Sequence, residues 1–68
     1  MTNLMNEMIR AAAARINEKG YAVEFRETQH GTVCLDALEV NTNSKSNQFT
    51  KRWKLNGKAI SAAKLAAM

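Results

Sequence analysis

The stretch ARINEKGYAVEFRETQHG, residues 14–31, changes its period in the middle, and the fold follows from where it changes. Before Lys19 the apolar residues fall at positions 4, 5, 8, 9, 12, 13 and 16, which draws one stripe along an α-helix. After Gly20 the period is two. Tyr21, Val23 and Phe25 alternate with Ala22, Glu24 and Arg26, the pattern of a strand with two unlike faces. The spacing therefore predicts a helix over 3–19, begun by Thr2 or Asn3 as a cap and ended at Gly20 in a left-handed conformation. A strand over 21–28 follows, with Tyr21 and Phe25 assigned to the core.

Gln29-His30-Gly31 is a turn signal, and Thr32 to Val40 reads as the returning strand. Its apolar phase slips between Val33 and Leu35 on odd positions and Leu38 and Val40 on even ones. A bulge near Asp36–Ala37 is the simplest expectation. Residues 41–48, NTNSKSNQ, hold no apolar side chain and read as an exposed loop. A third strand over 49–55 sets Phe49, Trp53 and Leu55 on one face, and Thr50, Arg52 and Lys54 on the other.

Asn56-Gly57 is the dipeptide of a type I′ hairpin, whose two central residues both need positive φ. It predicts a short fourth strand over 58–60. Ser61 then caps a last helix over 62–68, with Ile60 and Leu65 placed to staple its start. Seven residues do not hold a helix alone, so this one must dock. The expected fold is α+β: a small single domain, α-β-β-β-(β)-α, with an antiparallel sheet and the N-terminal helix packed on one face.

Charge is the strongest functional signal. Residues 1–39 hold four cations and six acids, a net −2, whereas residues 40–68 hold six cations and no acid, a net +6. Those cations are Lys45, Lys51, Arg52, Lys54, Lys58 and Lys64. Like charges gathered without counter-ions repel unless an anionic partner screens them. The reading is a non-enzymatic module that binds DNA or RNA through a basic β-ribbon. Arg52 and Lys54 lie on its exposed face, Lys51 and Lys58 at its margins, and Lys45 and Lys64 beyond them. The alternative is a phage-type inhibitor or adaptor whose basic face binds an acidic surface of a host protein complex.

Other chemistries find little support. His30 and Cys34 have no second ligand pair to complete a metal site, and no cofactor motif is present. Glu24, Glu27, Asp36 and Glu39 read as cross-strand partners of Arg26 and of the third strand's cations. The single cysteine suits a reducing compartment, and the expected location is cytoplasmic, in a bacterial or phage-infected cell. No stretch approaches the ~20 apolar residues of a membrane span. A chain this short buries only roughly 60% of its unfolded surface, so a second copy completing the core is a candidate partner. The element order resembles that of the double-stranded-RNA-binding domain. Only Lys58 and Lys64 stand near the last helix, however, and that family's lysine-rich helix start is missing.

Overall fold

The structure, a computed structural model, describes residues 1–39 and 49–68. Helix α1 runs Thr2–Lys19, followed by β1 (Tyr21–Thr28), β2 (Gly31–Glu39), β3 (Phe49–Leu55), β4 (Lys58–Ile60) and α2 (Ala62–Ala66). The four strands form one antiparallel sheet in the order β1-β2-β3-β4. This is the α+β arrangement expected from the sequence.

The stripe on α1 buries Met5, Met8, Ala12 and Ile16 against Ala22, Val33, Leu35, Ala37 and Trp53. Each large aliphatic side chain withdrawn from water in this layer contributes about 2 kcal/mol. Leu65, fully buried, fastens the five-residue α2 to the same core. The Ser61 hydroxyl caps α2 by accepting from the Lys64 amide at 3.2 Å.

The start of α1 differs from the expectation. Neither Thr2 nor Asn3 caps it; Met1 is the N-cap residue, and its carbonyl already accepts from the Met5 amide at 3.1 Å. The helix has thus begun before the first hydroxyl is available. The Met1 amine donates to the Met68 carbonyl at 3.1 Å. At the other end Gly20 has φ 78°, and its amide donates to the Ile16 carbonyl at 2.8 Å.

The second correction concerns β1. Tyr21, Val23 and Phe25 are not in the core; Tyr21 and Phe25 are 57% and 60% exposed. Ala22, Glu24 and Arg26 face α1 instead. The cause is the hairpin turn. Thr28 pairs with Gly31 across only Gln29 and His30, so odd residues of β1 pair with even residues of β2. Val33, Leu35 and Ala37 pair in turn with Leu55, Trp53 and Lys51 of β3. Paired residues share a face, so burying Tyr21, Val23 and Phe25 would also bury Asp36, Arg52 and Lys54. Desolvating those charges costs far more than burying the aromatics gains. The β2 and β3 pattern therefore decides the phase of β1.

Glu24 is the residue that this phase puts under the helix, only 4% exposed. It is held by two arginines. Arg26 Nη1 donates to Oε1 at 3.3 Å, and Arg15 Nη1 stands 3.0 Å from Oε2, off the line of a hydrogen bond. Such pairing is what permits a carboxylate to be buried at all. Arg26 also reaches Glu7 at 4.0 Å, so the pairs tie α1 to the edge strand.

The bulge is absent. Pairing of β2 with β1 and with β3 runs unbroken through Asp36 and Ala37. The phase slip in the sequence has a plainer origin: Leu38 lies on the uncovered face, 59% exposed. Val40, the other residue behind that expectation, lies outside the described residues.

One side chain ties the two hairpins together. Asn56, in the β3–β4 turn at φ 52°, accepts from the Thr32 amide at 3.0 Å and donates to the His30 carbonyl at 3.4 Å. Its amide occupies the space that a Cβ on Gly31 would fill. Gly31 has φ 119° and Gly57 has φ 83°, both left-handed, but only Gly31 is crowded. Gly57→Ala is therefore expected to cost about 1 kcal/mol through backbone strain alone. Gly31→Ala costs more because it also displaces Asn56. Thermal melts should show the larger drop for Gly31→Ala; equal drops would contradict the Asn56 clasp.

Candidate functional site

Sheet order turns the charge segregation of the sequence into a segregation in space. The acids of β1 and β2 (Glu24, Glu27, Asp36, Glu39) lie on one half of the sheet, and Lys51, Arg52, Lys54, Lys58 and Lys64 lie on or beyond the other. Edge strand to edge strand is three spacings, about 14 Å. The cations do not share one flat face. Arg52 and Lys54, with Thr50, project from the side that α1 leaves open. Lys51 projects to the helix side, its ammonium 4.9 Å from the centre of the Phe49 ring, a cation–π distance. Lys58 pairs with Leu55 and so points to that side too, and Lys64 sits in the last turn of α2. Lys45 lies outside the described residues.

What unites them is the edge. β4 pairs only with Trp53, Lys54 and Leu55, so the Phe49–Arg52 part of β3 has no strand beyond it. An open groove of ≈650 Å³ wraps this free edge, lined by Lys51, Arg52 and Lys54 over an apolar floor of Met5, Ile9 and Trp53. A second, of ≈590 Å³, holds Lys58 and Lys64, and the two grooves share Ala59, Ile60 and Ser61. The five cations thus ring β4 from both sides. Lys54 is partly offset by Asp36, its ammonium 3.6 Å from Oδ2. Among the described residues, no carboxylate comes within 4.0 Å of the charged groups of Lys51, Arg52, Lys58 or Lys64.

The remaining polar candidates sit elsewhere. His30 is exposed at the β1–β2 turn, within 3.4 Å of the Gln29 side-chain amide. Cys34 lies in the middle of β2 on the open face. Among the described residues no three His, Cys, Asp or Glu side chains gather to hold a metal, and no helix is long and apolar enough to cross a membrane. Trp53 is buried, so it is not offered to nucleobases. The free edge of β3 follows from local signals in the sequence, since Asn56-Gly57 sets the hairpin register and Ser61 ends β4 after three residues. No protein-family model, curated protein or solved structure matches this chain.

The Cys34 thiol carries a signature of its surroundings. Partial burial pushes its pKa above the ordinary 9.0, the neighbouring Asp36 carboxylate pushes it the same way, and Lys54 pulls it down. The thiolate is the reactive form, so alkylation by iodoacetamide should rise with pH to a midpoint above 9.0. Asp36→Asn should lower that midpoint and Lys54→Met should raise it. A midpoint that falls on removing Lys54 would contradict this geometry.

Proposed function

We propose that this chain is a small non-enzymatic binding module that holds DNA or RNA by its phosphates, along the edge formed by β3, β4 and α2. One observation carries the reading: Lys51, Arg52, Lys54, Lys58 and Lys64 ring a single sheet edge within a segment that has no acidic residue. Cations spread round an edge suit a backbone that curves past them better than a flat ribbon laid on a surface. Contacts of this kind position a nucleic acid without reading its sequence. The half-buried Ile9 and Ile60 of the larger groove give sugar edges a small apolar surface to rest on once the phosphates are held. An acidic protein surface would satisfy the same cations and is the competing partner.

Fluorescence anisotropy with a labelled duplex at several salt concentrations tests the proposal. The slope of log K against log[salt] should be about −0.9 per phosphate contact, so four contacts give roughly −3 to −4. Arg52→Glu combined with Lys58→Glu, one residue from each groove and both exposed, should abolish binding while circular dichroism stays unchanged. Arg10→Glu, on α1, should leave affinity within about twofold at moderate salt, where distant charges are screened. No binding to DNA or RNA even at low salt would end the nucleic-acid reading. An acidic protein lost on the same double substitution would then take its place.

A further inference from the structure

The turn between β3 and β4 sets a reactive pair of groups side by side. Of the chain's asparagines, only Asn56 is followed by glycine. A glycine nitrogen has no Cβ beside it, so it can close on the side-chain amide carbon of the residue before it. Gly57 is unhindered in this sense, since a Cβ built on it would meet nothing within 4 Å, and both residues are exposed to water. The other reactant is held. Asn56 Oδ1 accepts from the Thr32 amide at 3.0 Å, and Nδ2 donates to the His30 carbonyl at 3.4 Å. The Asn56 backbone amide donates to the Thr32 carbonyl at 2.9 Å. All three partners belong to the first hairpin.

We propose that Asn56 is a deamidation site gated by this clasp, inert while the clasp is closed and converted to aspartate or isoaspartate when it opens. In the first step the Gly57 amide gives up its proton and its nitrogen bonds to Asn56 Cγ. The Cγ–Nδ2 bond breaks, and Nδ2 leaves as ammonia. Water then opens the five-membered succinimide. Attack at Cγ gives aspartate, and attack at the backbone carbonyl gives isoaspartate. Two effects oppose each other in the closed state. The Thr32 amide polarises the Asn56 side-chain carbonyl, which favours attack on Cγ. Reach works against it, because ring closure draws Cγ toward the Gly57 nitrogen and pulls Oδ1 and Nδ2 off both of their partners. Reach decides, since without contact there is nothing to polarise.

Either product opens the clasp permanently. Aspartate has no donor for the His30 carbonyl and sets a carboxylate oxygen against it instead. Isoaspartate adds a methylene to the backbone of a two-residue turn, and the pairing of Leu55 with Lys58 depends on that length. Residues 40–68 hold six cations and no acid, so one new carboxylate beside Lys58 takes their net charge from +6 to 6 − 1 = +5. A weaker grip on phosphate follows, a consequence that rests on the nucleic-acid reading; the chemistry at Asn56 does not.

The test compares the full chain in native buffer with the full chain in guanidinium chloride, both at mildly alkaline pH. The tryptic peptide Leu55–Lys58 reports conversion by its gain in mass from amide to acid. Native wild type should convert about tenfold or more slowly than the denatured chain, since two hydrogen bonds must open first. Gly31→Ala places a Cβ where the Asn56 amide lies, so under native conditions it should convert faster than wild type, with folding checked by circular dichroism. Hydrogen exchange gives a second readout on the wild type itself. The Thr32 amide should be protected, because the Asn56 side chain is its acceptor, and Asn56→Ala should remove that protection. A native chain that converts as fast as the denatured one would overturn the proposal. So would a folded Gly31→Ala with the wild-type rate, or a Thr32 amide that exchanges freely in the wild type. These readouts use no nucleic acid, so their failure is separable from failure of the phosphate reading.

Discussion

The two-residue turn between Thr28 and Gly31 governs the rest of this structure. It joins odd positions of β1 to even positions of β2, and the longer connection to β3 joins odd to odd. Once Val33, Leu35 and Trp53 are drawn under α1, every other strand residue has its side assigned. A sheet has only two faces, so one strand can be forced against its own preference when its neighbours agree. β1 is that strand. It gives up the burial of two aromatics and accepts a carboxylate in the core, compensated by Arg15 and Arg26. Asn56 reinforces the turn from outside by holding both Thr32 and His30.

Two distinct surfaces result from this one constraint. On the β1 side lies an exposed apolar strip with carboxylates at its middle and end. On the β4 side lies a cluster of cations over an apolar groove, suited to an anionic chain. They are kept at opposite edges by the strand order, which follows the order in sequence without a crossover. An acid-rich first half and an acid-free second half therefore remain apart after folding. A crossover placing β4 beside β1 would have set Lys58 against the Glu24–Glu27 strand and neutralised the asymmetry.

Much of this was legible before the structure, and the parts that were not share a cause. The stripe on α1, the stop at Gly20, the Asn56-Gly57 hairpin and the Ser61 cap are local events written in neighbouring residues. Each is seen where the pattern puts it. The burial of Trp53 followed from its sharing a face with Phe49 and Leu55. The phase of β1 is not local. Tyr-Ala-Val-Glu-Phe-Arg alternates equally well either way up, and its own hydrophobicity favours the wrong way. Counting residues through the Gln29-His30 turn, and asking which face of β2 and β3 holds the charges, would have found it. The apparent bulge has the same origin seen from β2: Leu38 is apolar but lies on the open face. For the cations, the sequence supplied the set and the short β4, but not their joint placement: alternation separates Lys51 from Arg52, and they meet again at the edge of β3 that β4 leaves unpaired.

The orientation of β1 is the claim on which both surfaces stand, and nuclear Overhauser contacts to the Tyr21 and Phe25 rings test it most directly. The account expects contacts from Tyr21 to Leu38 and from Phe25 to Cys34, the paired neighbours on the open face, and none to Met8 or Ile16 of α1. Contacts from either ring to the Met8 or Ile16 methyl groups would show β1 the other way up, with Glu24 in solvent, and would contradict it.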